Sequence, residues 1–191
     1  MNWKKVRKLT YNVQPLRSNE EINDFLFFLR RTKNFERDTF LFLFGINNGL
    51  RMSDVVNLKV KNVRGVKNSW IVEKKTGKKK MLFLDNLSEL IEKYTRDMHD
   101  EDWLFPSREG GHIKVNTVYK QYQKIAEQLG RDDIGTHTLR KTFGYHYYRK
   151  TRDIATLMEI YNHSSEKVTK RYLGITQDEI GDSLKDFRLG F

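Results

Sequence analysis

Apolar residues recur at helical spacing along nearly the whole chain, and that rhythm breaks once, between about residues 61 and 84. A chain patterned this way builds a helical body, and any sheet in it must be small and local. Ser18 followed by Glu21 reads as a capping box, and Ile22, Phe25, Leu26 and Leu29 give the helix it opens one apolar face. A second helix runs from about Asp38. Its Phe40, Leu41, Leu43, Phe44 and Ile46 are apolar nearly all round, which predicts burial, and Asn47-Asn48-Gly49 ends it where left-handed geometry is easy. A short capped helix is expected over 53–58. Three short strands follow, over 61–64, 69–74 and 79–84, with Thr76-Gly77 as the turn of a hairpin. Helical spacing then returns with Leu87, Leu90, Ile91 and Tyr94, with Val118, Tyr122, Ile125, Ala126 and Leu129 closed by Gly130, with Leu139, Phe143 and Tyr147, and with Ile154, Leu157, Met158 and Tyr161. The expected fold class is mainly α with a small antiparallel three-stranded β-sheet (α+β).

Charge narrows the function. The 191 residues suit one domain, and 36 Lys and Arg against 25 Asp and Glu leave a net charge of +11. A surplus of that size points to a polyanion, since each neutralised phosphate releases condensed counterions. The basic charge is clustered: residues 61–80 hold eight Lys/Arg against the single acid Glu73, and residues 137–152 hold five against none. Either cluster alone reads as a solvated face; together in one small fold they read as a footprint for a phosphate backbone.

Several function classes drop out. With no cysteine, disulfide scaffolds, thiolate zinc sites, iron–sulfur clusters and cysteine nucleophiles are excluded. The longest apolar run, residues 40–44, is a helix fragment, and Met1-Asn2-Trp3-Lys4-Lys5 lacks the apolar region of a secretory signal, so a soluble, cytoplasmic protein without a membrane partner is expected. Gly77-Lys78 is followed by Lys79, and Val72 stands where a phosphate-binding loop needs glycine. The histidines, His99, His112, His137, His146 and His163, show no metal-ligand spacing. No cofactor and no metal is expected.

Polar residues recur instead at element boundaries, where sites are usually built. Arg51 follows a Gly-Leu helix end, Lys75 sits at the hairpin tip, and His137 and Arg140 stand at i and i+3, where an imidazole and a guanidinium fork address one oxyanion together. His163 lies in Asn162-His163-Ser164-Ser165, and Tyr172 follows in Lys170-Arg171-Tyr172-Leu173. Taken alone, Tyr172 reads as a core aromatic.

In order, these segments resemble the boxes of the tyrosine recombinase (phage integrase) family. Gly49-Leu50-Arg51-Met52-Ser53-Asp54-Val55-Val56-Asn57-Leu58 resembles its first arginine box, the stretch 70–84 with Lys75-Thr76-Gly77-Lys78 its hairpin lysine segment, and His137-Thr138-Leu139-Arg140 its His-x-x-Arg box. Ile160-Tyr161-Asn162-His163-Ser164-Ser165, followed by Arg171-Tyr172, is similar to its Leu-Gly-His-Ser segment and nucleophilic tyrosine. The match departs at Asp54, where the family usually has Glu, and at Tyr161-Asn162, where it has Leu-Gly; Asn162 can still adopt the left-handed conformation.

The resemblance implies the tyrosine recombinase catalytic-domain fold and a site-specific recombinase that needs neither metal nor ATP. Tyr172 would attack the scissile phosphate, forming a 3′-phosphotyrosyl link and releasing a 5′-hydroxyl. Arg51 and Arg140 would clamp the nonbridging oxygens with His163, Lys75 would protonate the leaving oxygen, and His137 would assist proton transfer at the tyrosine. Lys74, Lys78, Lys79, Lys80 and Lys141 are the expected DNA contacts, with Lys74 or Lys78 as alternative proton donors. Three parts are expected: a basic arm over 1–17 with Lys4, Lys5, Arg7, Lys8 and Arg17 and no acid, a catalytic domain over 18–176, and an amphipathic segment over 177–191. In that last segment Ile180, Leu184, Phe187 and Phe191 form an apolar stripe that needs a partner surface. Packing on its own domain is one outcome; the family implies exchange between protomers of a tetramer bound to double-stranded DNA.

Family members usually carry an N-terminal clamp domain as well. Its absence before residue 18 leaves three readings: a short recombinase like the single-domain fimbrial-switch inverters, a fragment, or a DNA-binding regulator on the same fold. Type IB topoisomerase-like relaxation and a nonenzymatic basic adaptor are the remaining alternatives. The DNA site, the choice among integration, excision and inversion, and the accessory factors are not legible in the sequence.

Overall fold

Ser18 opens the first helix as its residues require. In this computed structural model, which describes residues 13–175, 181, 184, 185 and 187–190, the Ser18 hydroxyl accepts from the Glu21 amide and the Glu21 carboxylate accepts from the Ser18 amide. Helix α1 (Asn19–Leu29) turns Phe25, Leu26 and Leu29 inward. Helix α2 (Phe35–Asn48) begins slightly earlier than its apolar pattern, buries Phe40, Leu41, Phe42 and Phe44, and stops at Gly49 with φ of 66°. A Cβ at Gly49 would stand 2.5 Å from the Phe143 ring, so glycine is fixed there twice, by backbone and by packing. The short helix α3 (Met52–Val55) follows at once.

The sheet has two strands, not three. Residues Val60–Asn62, expected within or beside a strand, form a 3₁₀ turn. Val60 and Val63 are both buried, at the spacing of a helical turn and not at strand alternation, and the Asn62 side chain accepts the Lys59 amide at 2.8 Å. The hairpin itself is present: β1 (Asn68–Val72) pairs antiparallel with β2 (Lys79–Phe83), with Ile71 opposite Lys80 and Trp70 opposite Met81. Alternation turns Ile71 and Leu82 inward and leaves Trp70, Val72 and Phe83 exposed.

Five further α-helices follow: α4 (Ser88–Thr95), α5 (Val115–Gln128), α6 (Thr138–Thr151), α7 (Ile154–Tyr161) and α8 (Glu166–Leu173). Central α2 packs against α1, α4 and α6, while α7 and α8 pack on each other and on α6. Two apolar clusters result. A large one joins α1, α2, α4, α5 and the inner face of the hairpin; a small one of Leu157, Tyr161 and Leu173 lies among α6, α7 and α8, with Phe143, Tyr147 and Tyr172 against it.

Residues 13–17, counted above with the basic arm, belong to the body. Leu16 is fully buried and the Gln14 amide donates to the Asp133 carbonyl at 2.8 Å. Lys4, Lys5, Arg7 and Lys8 lie outside the described residues, as do Ile180 and Phe191 of the C-terminal stripe; Leu184 and Phe187 are exposed. No helix among the described residues is long and apolar enough to cross a membrane.

Candidate active site

The site forms where the C-terminal ends of α2 and α7 meet the start of α6. Arg51 leaves the Gly49 turn as the N-cap residue of α3, and its Nη1 donates to Glu73 Oε1 at 2.7 Å. Arg140 lies in the first turn of α6 and is 2% exposed. Its fork donates to the Gly49 carbonyl at 2.6 Å and the Tyr161 carbonyl at 3.0 Å, and its guanidinium stacks 4.1 Å above the Tyr161 ring. A buried charge needs such partners. The Tyr161 hydroxyl returns a hydrogen bond to the Arg140 carbonyl, so the two residues hold each other.

The other three residues close on this pair. Asn162 ends α7 in the left-handed conformation, φ 54° and ψ 45°, as its place before His163 suggested. His163 then turns back, its Nδ1 3.0 Å from the Thr169 hydroxyl. Tyr172, on α8, reaches His137 with its hydroxyl 3.1 Å from Nδ1, and its ring packs edge-on against His163 and Tyr161 at 5.3 and 5.5 Å. The five residues Arg51, His137, Arg140, His163 and Tyr172, far apart in sequence, thus share one electrostatic neighbourhood.

Burial and like charge set the protonation states. Burial, then the charges of Arg140, Lys141, Arg51 and Lys75, lowers the His137 pKa; burial, Arg140 and Arg51 lower that of His163. Burial raises the Tyr172 pKa despite the opposing charge and hydrogen bond of Arg140 and the charge of Arg51. At neutral pH the site therefore holds neutral imidazoles beside an un-ionised phenol.

Lysines divide into two groups. Lys74, Lys75, Lys78 and Lys79 are exposed around the hairpin tip, and the Lys75 charge is felt at His137. Lys80 and Lys141, grouped with them above as DNA contacts, turn inward. Lys80 Nζ donates to the Ile160 carbonyl at 2.7 Å, and burial followed by the charge of Arg140 lowers its pKa to about 8. Lys141 Nζ donates to the Val13 carbonyl at 2.6 Å and sits 5.1 Å from the Tyr172 ring centroid.

Two carboxylates near the site were missed or undervalued in the sequence. Glu73, 2% exposed, joins Arg51 to the Thr76 hydroxyl; burial would raise its pKa, but the Thr76 hydrogen bond and the charges of Arg51, Lys80 and Arg140 outweigh this and lower it. Asp54, one methylene shorter than the usual acid at that position, still reaches the hairpin, accepting the Lys74 amide at 2.8 Å.

A mainly helical domain that gathers a tyrosine, two histidines and two arginines behind a lysine-rich hairpin defines a class, the enzymes that break and rejoin DNA through a tyrosine. Residues 17–179 match the phage integrase family, and the chain belongs to that family, the tyrosine recombinases. It is 46% identical over 177 residues to the probable integrase/recombinase YoeC of Bacillus subtilis (strain 168), covering 92% of this chain and 97% of that protein. It is 27% identical over 154 residues to the tyrosine recombinase XerC of Nitrobacter winogradskyi, covering 76% of this chain and 48% of XerC. Among solved structures, XerH in a post-cleavage complex with palindromic difH substrate superposes with a TM-score of 0.69 at 22% identity, over 90% of this chain and 52% of XerH. XerA recombinase superposes with a TM-score of 0.69 at 18% identity, over 93% of this chain and 65% of XerA. These superpositions speak for the fold. The chain spans nearly all of the Bacillus relative but about half the length of XerC and XerH.

Proposed function

We propose that the protein is a site-specific recombinase acting on double-stranded DNA, with Tyr172 as nucleophile. The observation that carries this is the 3.1 Å contact between the Tyr172 hydroxyl and His137 Nδ1, in the field of Arg51 and Arg140. With Nδ1 unprotonated, His137 accepts the phenolic proton as the tyrosine oxygen attacks phosphorus. Arg51 and Arg140 hold the nonbridging oxygens. His163, in the tautomer that carries its proton on Nε2, donates a further hydrogen bond to the phosphate. The P–O5′ bond breaks, Lys75 protonates the departing oxygen, and the phosphotyrosyl link stores the bond for rejoining.

The raised Tyr172 pKa means that the phenol keeps its proton before attack, so a base must take that proton as the tyrosine oxygen bonds to phosphorus. Exposed Lys74, Lys78 and Lys79 suit contacts to flanking phosphates. The exposed Leu184 and Phe187 suit docking onto a second protomer of a tetramer on DNA.

Covalent trapping tests the reading. Nicked duplexes cut from the DNA flanking the gene are incubated with wild type and with Tyr172→Phe, then denatured in detergent. A protein–DNA adduct in wild type and none in the variant is expected. Specific binding without an adduct would reassign the protein as a DNA-binding regulator.

A further inference from the structure

The tip of the hairpin is a four-residue loop, 74–77, closed by the paired residues Glu73 and Lys78: the Glu73 amide donates to the Lys78 carbonyl at 2.9 Å and the Gly77 amide to the Glu73 carbonyl at 2.8 Å. Lys75 projects from this loop and is exposed. Both of its neighbours are anchored. On one side the Lys74 amide is held by Asp54 at 2.8 Å; on the other the Thr76 hydroxyl donates to Glu73 Oε2 at 2.7 Å. The remaining oxygen of Glu73 takes Arg51 Nη1 at 2.7 Å. One buried carboxylate therefore spans a residue of the phosphate clamp and the backbone neighbour of the lysine.

This bridge has a geometric consequence. A lysine side chain has four rotatable bonds and a large entropy to lose, so an ammonium on an unanchored loop seldom points at one atom. Fixing the backbone on both sides of Lys75 narrows the volume its Nζ can sweep. Anchoring the second side through Arg51 ties that volume to the guanidinium that holds the phosphate. A neutral residue at position 73 could not accept from both Arg51 and Thr76 with the same strength, because hydrogen bonds to a carboxylate are about twice as strong as neutral ones.

We propose that Glu73 is a positioning residue that, through Thr76, sets Lys75 at the leaving 5′-oxygen and registers it on Arg51. This rests on the role of Lys75 given above and goes beyond it, since Glu73 touches neither phosphate nor leaving group. It acts through a lysine and an arginine that do.

A sulfur leaving group separates the two roles. In a 5′-bridging phosphorothiolate the P–S bond breaks to release a thiolate, whose conjugate acid ionises near the cysteine value of about 8.5. An alcohol resembles water at about 15.7. The sulfur substrate therefore needs no proton from Lys75, while its nonbridging oxygens still need Arg51. The substrate is the nicked duplex that wild type traps, made in oxygen and sulfur forms, and the rate of adduct formation is measured for Lys75→Ala, Thr76→Val and Glu73→Gln in the full chain. Thr76 is exposed, and its replacement by valine removes the hydroxyl alone, so this variant stands if Glu73→Gln does not fold.

On oxygen, Lys75→Ala is expected to slow by about 10²–10⁴-fold, as for loss of a general acid, and Thr76→Val and Glu73→Gln by up to about 10²-fold, as for a misplaced one. On sulfur, Lys75→Ala and Thr76→Val are expected to return to within about threefold of wild type, and Glu73→Gln to recover most of its loss. Thr76→Val at the wild-type rate on oxygen, or equally slow on both substrates, overturns the positioning role alone. Lys75→Ala equally slow on both overturns the acid role of Lys75, and the positioning role with it.

Discussion

Around Phe42 the chain buries ring against ring: Phe25 stacks on it at 4.9 Å, Tyr122 meets Phe25 edge-on at 5.1 Å, and Phe40 stacks on Tyr94 at 4.1 Å. Around Tyr161 the packing is of another kind. Its ring carries the Arg140 guanidinium on one face, lies 5.3 and 5.5 Å from the rings of His163 and Tyr172, and sends its hydroxyl to a helix carbonyl. The first cluster draws on most of the fold and has no part in the chemistry; the second has three fully enclosed residues and holds the candidate nucleophile. Apolar burial, which is non-directional, stabilises the body, while directional contacts aim the side chains that react. Damage to the two clusters should therefore be read by different instruments.

The largest effect is expected in the large cluster. Phe42→Ala should lower the unfolding free energy by about 3–5 kcal/mol in a denaturant titration. Adduct formation per folded molecule should stay near wild type. A proportionate loss of cleavage in the folded fraction would show that the clusters are not separable.

Gly144→Ala is the converse. A Cβ there would lie 2.2 Å from the Tyr161 hydroxyl oxygen and 2.5 Å from Leu173 Cδ2, contacts that force α6 from α7 and α8. The stability cost should be about 1–3 kcal/mol, typical of overpacking. The adduct yield should fall by about 10²-fold, because Tyr172 and Arg140 lose their common frame. Equal stability loss with normal cleavage would break the comparison from the other side.

The smallest effect concerns a proton. Burial and the charges of Arg140, Lys141, Arg51 and Lys75 lower the His137 pKa, so the imidazole stays a neutral acceptor down to a pH below the ordinary histidine value of about 6.5. Cleavage should fall as pH drops through that lowered pKa. Lys141→Met removes one of those charges, should raise the pKa, and should move the acid limb of the cleavage profile to higher pH. A limb that does not move, or moves down, removes His137 from the rate-limiting proton transfer.

Sequence legibility followed the same division. Ser18 with Glu21 and Gly49 announced helix ends because each has a local cause, and the structure places both as expected; Asn162, read only as able to adopt the left-handed conformation, does so at the end of α7. The supposed strand at 61–64 was misread because Val60 and Val63 follow the 3₁₀ spacing while Lys61 and Arg64 dilute it. Helix α8 has little apolar signal, since Thr169 and Leu173 are its buried residues and Thr169 is polar. Glu73 was counted as the lone acid in a basic run, and Lys80 as one more lysine contacting DNA. Strand alternation with Ile71 and Leu82 was the available signal that both turn inward, where charge must find partners.

The two carbonyls that receive Arg140 are those of Gly49, at the end of α2, and Tyr161, the last residue of α7. A helix C-terminus carries about half a negative charge, so two of them supply about one unit facing the guanidinium. Arg140 thus brings its own counterion, built from backbone and unable to diffuse away. When a phosphate arrives, Arg140 has no mobile anion to displace, and the ions set free are the cations condensed on the DNA. Arg140 therefore adds to the ionic-strength dependence of DNA binding through the phosphate it neutralises, as the exposed lysines of the hairpin do, while the two helix ends keep its fork aimed before any DNA is bound.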